Sequence, residues 1–455
     1  MNFYRFLQQR AETGRPIRLG VIGAGKFSSM FLSQVRLVPG MQVVGIAELD
    51  PDKARQICLR VGWPQEVISF GESTAAINEG AGSGKITLTD DSDKLIQADV
   101  DIILEITGIP EAGANHAWKA LEAGKHVIMA NAEADALLGA VIRKKADEVG
   151  LVYSMAYGDE PAIVCQLIDW AQTAGFEVVC AGKGTRHQPK YRYSTPETVW
   201  KYWGFSEEQV ASGDYNAKMF NSFVDGTKSA IEMCIVANAS GLIPQKCGLQ
   251  FPLVGVDELP EILKPKSVGG ILEHSGTVEA VIHQKRDGTP ASRKLGPGVY
   301  VVFKAPSDYV RRCFTEYELL TDASGEYAAL YRPFHLIGLE LGVSVASVAL
   351  RGEPTGSSRA FIADVASVAK KDLKSGDVLD GEGGYTVFGW LVRAEDSMAG
   401  KYLPMGLSGK AKVIRPVAKG TILTYDDVEL DDRLFSYKLR KMMEKDSIYR
   451  KIDNY

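Results

Sequence analysis

The chain has 455 residues, a formal net charge of −5 and a pI near 5.8, with 45% hydrophobic and 24% charged residues. That is the composition of a globular protein of roughly two to four domains at about 100–200 residues each, and it speaks against a nucleic-acid or anionic-membrane binder. The cysteines (Cys58, Cys165, Cys180, Cys234, Cys247, Cys313) form no CxxC pair. They read as core thiols of a reducing compartment, not as a zinc knuckle or a disulfide framework. No run of about 18 apolar residues occurs, and the N-terminal stretch does not read as a signal peptide. The expectation is a cytoplasmic protein with no membrane and no nucleic-acid partner.

In chain order, residues 2–12 read as a short amphipathic helix ended by Gly14 and Pro16. The stretch IRLGVIGAGKFSSMFLSQV then gives a strand over 17–22, a turn at 23–25 and a helix to about 37. Gly23 permits the tight turn. Gly25 lets the backbone approach a pyrophosphate at the helix N-terminus, where unsatisfied N–H groups and the helix dipole favour anions. Lys26 and Phe27 open that helix and join the candidate cofactor contacts. Ser28, in place of a third glycine, reads as a packing substitution.

The next strand, MQVVGIAE, ends at Glu48, 23 residues after Gly25. An acidic side chain there grips the adenosine ribose hydroxyls and repels a 2′-phosphate. NAD is therefore favoured over NADP, with Lys53 and Arg55 keeping NADP open. Asp50 reads as an N-cap with Pro51 at the first helical position. The strand VDIILEIT (100–107) leads into a helix closed by Gly124, and Thr107 and Gly108 between them can cover the nicotinamide ribose. HVIMAN, a helix over 135–149 and LVYSMAYG follow; Asn131 would face the cofactor and Glu133 the substrate. Strands apolar on both faces, alternating with helices, predict an α/β doubly wound parallel sheet of Rossmann type over 1–160.

Residues 161–350 read as an α+β catalytic and dimerisation domain, with a helix over 335–352 returning to the first domain. Several stretches carry candidate chemistry. YGDEPA holds Asp159 and Glu160, adjacent carboxylates that can bind a divalent metal, hold a lysine or cap the helix that Pro161 begins. CAGKGTRH sets Lys183 between glycines after a strand, where partial desolvation would shift it toward neutrality. Arg186 and His187 can grip a phosphate or carboxylate. In FVDGTKSAIEMCIVANASG, Asp225 reads as an N-cap, Lys228 and Glu232 share a helix face, and Asn238 lies near it. Arg332 and His335 can bind an anionic substrate or cap and pack the return helix. His116, His126, His274 and His283 have no metal-ligand spacing. RGEPTGSSRA (351–360) has the composition of a linker. A small β-rich domain follows over 361–433, and then a charged helix with a loose end over 434–455.

The ordered motifs GAGKFS, TDDSDKLI, EITGIPEAG, GKHVIMANAEAD, YGDEPA, AGKG, DGTKSAIEMCIVANASGL, PGVYVV and RPFHL resemble those of homoserine-dehydrogenase-like oxidoreductases with a C-terminal SAF domain. The characterised branch they most resemble is the enzymes similar to 1-deoxy-D-xylulose 5-phosphate reductoisomerase. VAKKDLKSG, PMGLSG and VAKGTILTYDDVEL look like the SAF part. The resemblance implies a homodimer or dimer-based tetramer, a nicotinamide cofactor and, in the reductoisomerase branch, Mg²⁺ or Mn²⁺. It supports Asp159, Glu160, Lys183, Lys228 and Glu232 as site residues. The strand-end motif NAEAD carries no lysine after its asparagine, which argues against homoserine itself.

The functional expectation is hydride transfer between NAD(P) and a small polar, anionic hydroxy- or keto-substrate. Lys183 or Lys228 would be the general acid/base, with Glu232 and Asp159 orienting the lysine or a metal. The alternatives are a metal-requiring reductoisomerase and a non-enzymatic NAD-binding sensor.

Overall fold

The structure, a computed structural model, describes residues 2–212, 215–282 and 295–451. His283 and the last residues of the charged tail lie outside them. The chain divides into two units: unit 1 is Met1–Ile163 with Leu336–Arg359, and unit 2 is Val164–His335 with Ala360–Tyr455. Among the described residues, no helix is long and apolar enough to cross a membrane.

Unit 1 begins with α1 (Phe3–Glu12), β1 (Ile17–Ile22), α2 (Lys26–Val35), β2 (Met41–Ala47), α3 (Pro51–Arg60), β3 (Ile68–Phe70), α4 (Thr74–Gly82) and β4 (Ile86–Thr89). It continues with α5 (Ser92–Ile96), β5 (Ile102–Glu105), α6 (Pro110–Glu122), β6 (His126–Met129), α7 (Ala132–Glu148) and β7 (Tyr153–Met155). The division into units falls inside α8 (Glu160–Thr173). The strands form one parallel sheet in the order β3-β4-β2-β1-β5-β6-β7. β1 therefore has β2 on one side and β5 on the other, which puts the topological switch point at the C-terminal ends of β1 and β5. This is the doubly wound α/β fold expected from the alternating apolar runs.

Local chemistry sets the helix starts. Asp50 accepts from the N–H groups of Asp52 and Lys53, with Pro51 at the first position of α3. The core gathers Leu19, Val21, Phe31, Leu32, Ile46, Ile102, Leu104 and Ile128 with Val345, Ala346 and Val348 of the return helix. That helix spans Gly342–Arg351, not 335–352. Gly338 takes φ 70° because its backbone passes the Phe27 carbonyl, where a Cβ would lie 2.6 Å from the oxygen. Helix cannot propagate through that left-handed residue.

The stretch 351–360, expected as a linker, ends where unit 1 gives way to unit 2 and is packed over 355–358. Thr355 Oγ1 sits 2.6 Å from Ser344 Oγ and donates to the Met155 carbonyl, while Met155 N donates to the Gly356 carbonyl. Ser358 is fully buried and donates to Asp135 Oδ1 at 2.9 Å. The small polar residues of this stretch are partners for buried groups, and Gly139 leaves the space in which Ser358 sits.

Unit 2 holds β8 (Glu177–Thr185), α9 (Val199–Trp203), α10 (Glu207–Ser212), α11 (Ala217–Asp225), α12 (Thr227–Ser240), β9 (Thr277–Ile282), β10 (Val299–Lys304), β11 (Leu320–Thr321) and β12 (Tyr327–Arg332). Its sheet runs β11-β12-β10-β8-β9, with β8 and β9 parallel and the other pairs antiparallel. The C-terminal hairpin β13 (Ala363–Ala369) and β14 (Val387–Arg393) belongs to this unit too. All residues of α12 except Lys228 and Ser240 are buried, because it lies between the sheet strands β8 and β9 and the hairpin. Asp225 ends α11 and is not the N-cap of α12. Gly226, at φ 92°, takes that position, and Asp225 Oδ1 accepts from Thr227 N at 2.9 Å.

The helix Phe435–Lys445 is anchored to β13 by Arg440, fully buried and paired with both oxygens of Asp364 and with Glu444. Removing one partner of such a buried pair strands the other charge, at about 3–5 kcal/mol. Arg440→Ala should lower the urea midpoint of unfolding by a corresponding amount, and an unchanged midpoint would show that the anchor contributes nothing.

Burial raises the Asp135 carboxyl to about 6, against the Ser358 hydroxyl that lowers it. The folded state then holds a proton that the unfolded chain releases near pH 4. Stability from this group therefore falls as pH rises between about 4 and 6, by about 2–3 kcal/mol, and levels off above. Asp135→Asn cannot titrate. Its stability relative to wild type should grow across that window in urea titrations, and a constant difference would refute the assignment.

Candidate functional site

In unit 1 the candidate cofactor residues gather at the switch point. Gly23 takes φ 103°, and a Cβ there would lie 3.1 Å from the Ile106 carbonyl, so glycine lets the β1 turn and the loop after β5 pack together. Gly25 is exposed, and a Cβ added to it meets nothing within 4 Å. The backbone is thus open to a ligand at the start of α2, where Lys26, Phe27 and Ser28 present first-turn N–H groups that a helix cannot satisfy internally. These features fit a dinucleotide pyrophosphate.

Ser28 does more than pack. It is fully buried, and its Oγ accepts from Gly25 N at 2.7 Å and donates to Gly25 O at 2.9 Å. This is half of a capping box, the other half being impossible because the N-cap glycine has no side chain. Glu48 Oε2 accepts from Ala24 N at 2.6 Å and lies 3.6 Å from Lys53 Nζ. The carboxylate at the end of β2 therefore also fixes the turn that it was expected to complement.

Asn131 caps α7 by accepting from Ala134 N, and its amide donates to Thr107 Oγ1 and to the Ile109 carbonyl. Thr107 in turn donates to the buried Glu105, which also contacts His116 Nδ1 at 3.2 Å. Gly108, at φ 70°, has open space around it. Asn131 thus ties the ends of β5 and β6 together beside the switch point. Glu133 is half-buried in the first turn of α7. Asp159 and Glu160 stand together where α8 begins; Glu160 is buried, and its N–H donates to Asp159 Oδ1 at 3.1 Å.

In unit 2 the chemistry centres on Lys183 and Glu232. Lys183 lies inside β8, not after it: the strand runs to Thr185. Its flanking glycines answer to neighbouring backbone, since a Cβ on Gly182 would strike the Glu279 carbonyl and one on Gly184 the Gly296 carbonyl. Lys183 donates to Glu232 Oε2 in a close ion pair, the two side chains 3% and 1% exposed. Glu232 was expected to orient Lys183 or Lys228; the cation on its Oε2 comes from β8. Lys228 is half-buried one turn earlier in α12. Thr185 Oγ1 meets Ser229 Oγ at 3.1 Å, which continues the polar seam between β8 and α12.

Asn238 accepts from the N–H groups of Ile362 and Ala363 and donates to the Ala363 carbonyl, so it holds β13 to α12. Arg186 is exposed and stacks on Trp203 with its Cζ 4.5 Å from the ring centroid. Arg332 lies over Phe334, and His335 Nδ1 is 2.6 Å from the Pro297 carbonyl.

Two features escaped the sequence reading. Arg192 stacks on Trp390, with its Cζ 4.2 Å from the ring centroid. Lys370 is buried and donates to Asp225 Oδ2 and to the carbonyls of Ser194 and Gly384. Both pair residues far apart in sequence, and only the bare basic-aromatic string YRY (191–193) hinted at the first.

The chain matches two family models: "Homoserine dehydrogenase, NAD binding domain" over residues 19–154 and "Oxidoreductase DRL, catalytic domain" over 158–341. No curated protein matches it. Solved structures similar to it include KijD10, a 3-ketoreductase from Actinomadura kijaniata, in complex with NADP and TDP-benzene, at 21% identity and TM-score 0.24, covering 39% of this chain and 50% of that one. Another is scyllo-inositol dehydrogenase from Lactobacillus casei, at 14% identity and TM-score 0.25, covering 37% and 46%. The chain thus spans about half the length of these two. A third is 1-deoxy-D-xylulose 5-phosphate reductoisomerase from Zymomonas mobilis in complex with NADPH, at 15% identity and TM-score 0.33, covering 49% and 57%. The chain thus carries a match to a homoserine-dehydrogenase-type NAD-binding domain followed by a match to an oxidoreductase DRL catalytic domain.

Proposed function

We propose that this protein transfers hydride between a nicotinamide dinucleotide and a small polar, anionic hydroxy- or keto-substrate. The observation that carries the reading is the buried Lys183–Glu232 pair in the unit that the DRL catalytic model matches. When bound, the nicotinamide gives or takes the hydride. The turn at Gly23 and Gly25 with the N–H groups of Lys26 and Phe27 would hold the pyrophosphate, and Thr107, Gly108 and Asn131 would border the nicotinamide ribose. Glu48 would take the adenosine ribose hydroxyls, which favours NAD over NADP.

Lys183 supplies the proton chemistry. Its ammonium can donate to a carbonyl oxygen as that oxygen becomes a hydroxyl, and the amine can take the proton back in the reverse direction. Glu232 holds the ammonium in place and compensates its charge in a site closed to water. Lys228 is the second candidate for the same role. Glu133, Glu160, Arg186, Asn238, Arg332 and His335 remain proposed substrate contacts. The reading includes a cytoplasmic homodimer or dimer-based tetramer and an SAF-like region over 361–433, both supported by the motif resemblance alone.

A second reading, reduction coupled to a skeletal rearrangement, is favoured by the adjacent carboxylates of Asp159 and Glu160. These hard oxygen donors suit Mg²⁺ or Mn²⁺, with Glu232 proposed as a further ligand. Turnover insensitive to EDTA excludes it.

Lys183→Arg keeps the charge on Glu232 but cannot release a proton at neutral pH. We expect kcat to fall by about 10²–10⁴-fold with cofactor affinity unchanged. Unaltered kcat would remove Lys183 from the mechanism, and Lys228→Arg would then be measured in its place. Glu48→Ala should shift the NADH/NADPH affinity ratio about tenfold toward NADPH, the loss of one charge-assisted contact. A wild-type preference for NADPH would overturn the NAD assignment.

A further inference from the structure

One charged group at the switch point of unit 1 takes no part in the proton chemistry of Lys183. Glu105 is the last residue of β5, flanked in the sheet by Ile22 of β1 and Met129 of β6. Its side chain is fully buried. Ile22 and Met129 show that apolar side chains suit this end of the sheet, and a charge buried there is costly unless it is paired. Glu105 Oε1 accepts from Thr107 Oγ1 at 2.6 Å and lies 3.2 Å from His116 Nδ1. Oε2 is buried and has no hydrogen-bond partner among the described residues.

No permanent cation cancels this carboxylate. Among the described residues, no lysine or arginine lies within ion-pair distance of Glu105, and its ion-pair contact is the His116 imidazole, a titrating group. Tyr153, on the same face of the sheet two strands away, brings no positive charge either. Burial, and after it the carboxylates of Asp135 and Glu105, push its phenol well above the ordinary range, so it stays neutral. A carboxylate in such a dry layer acts on charges several ångströms away, because little water screens it. The Thr107 hydroxyl gives its proton to Glu105 and receives the Asn131 amide at 3.3 Å. The residue proposed to border the nicotinamide ribose thus touches the carboxylate directly.

We propose that Glu105 is a positioning residue of the cofactor site: it holds Thr107 and makes the site favour the oxidised, cationic nicotinamide over the reduced, neutral one. This rests on the proposed placement of the nicotinamide ribose beside Thr107 and Gly108, and it adds a direction to the proposed reaction. Passing a hydride from the reduced ring to a carbonyl carbon leaves a positive charge on the ring, while Lys183 supplies the proton for the oxygen. A carboxylate that stabilises that positive charge favours reduction of the carbonyl over the reverse reaction.

Titration calorimetry of the full chain with NAD⁺, NADH and ADP-ribose, without substrate, tests it; NADP⁺, NADPH and 2′-phospho-ADP-ribose replace them if wild type prefers the phosphorylated pair. Wild type should bind the oxidised form at least as tightly as the reduced form. Glu105→Gln keeps an acceptor for Thr107 but removes the charge. It should weaken the oxidised form relative to the reduced form by about tenfold or more, and leave ADP-ribose, which lacks the nicotinamide, unchanged. Thr107→Val removes the hydroxyl and keeps the charge, so it should weaken both dinucleotides alike. Circular dichroism melting confirms that each variant folds. An oxidised-to-reduced affinity ratio unmoved in Glu105→Gln, or moved as far in Thr107→Val, overturns the proposal. So does a wild type that prefers the reduced form by more than about tenfold, a measurement that needs no variant. ADP-ribose reads the dinucleotide site separately: if it binds and the ratio is unmoved, this inference fails alone, and if none of the three binds, the oxidoreductase reading fails with it.

Discussion

The burial of α12 on both sides is the constraint from which unit 2 follows. A helix with no solvent face must satisfy every polar group it carries within the protein. Glu232 takes Lys183 from β8, Ser229 meets Thr185, and Asn238 grips the backbone at Ile362 and Ala363. At the other end Thr227 Oγ1 accepts from Gly389 N, and Asp225 is held by Lys370. Thr227, Ser229, Glu232 and Asn238 thus each tie this helix to a different neighbour. The middle domain and the C-terminal hairpin share one core because the same helix is buried by both.

Unit 1 obeys a different constraint, the close approach of loops at the ends of β1, β2 and β5. Glycine at 23 lets the first and third of these touch, and Glu48 clasps Ala24 from the second. Ser28 then fixes the start of α2 by binding both backbone groups of Gly25. The turn is thus preorganised before any ligand arrives, so less ordering cost opposes binding. Asn131 does the same for the loops after β5 and β6.

How much of this was legible follows from how local each cause is. β1 and the Asp50–Pro51 helix start were readable because apolar runs and caps act over a few residues. α12 was readable as a buried helix from its apolar surround. Residues 61–99 were not, since β3, β4 and α5 are too short to show a period. The site was legible in its members and illegible in its pairings. Lys183 and Glu232 were both singled out, with Glu232 read as orienting either Lys183 or Lys228, but nothing local to the sequence shows that a lysine 49 residues away in β8 reaches it. Glycines beside Lys183 suggested a loop, whereas packing between strands requires them. Arg192 and Trp390 meet only because the hairpin folds back on α11 and α12.

A buried Lys–Glu pair is an expensive way to fill a core. Two apolar side chains of similar volume would often be as stable or more so, because desolvating both charges offsets most of their attraction. The neighbours of Glu232 on its helix, Ile231, Met233, Cys234 and Ile235, show that apolar residues fit this environment. An ion pair placed among them therefore answers to something other than stability. Fold specificity is one such role, but Asn238 and Asp225 already fix the register of α12 by bonding backbone on two sides. What the Lys183–Glu232 pair adds beyond register is an ammonium held dry at a defined place, with a carboxylate that compensates its charge. That arrangement suits the proton transfer proposed for it, which is why the pair, and not the glycine-rich turn, carries the proposed enzymatic reading.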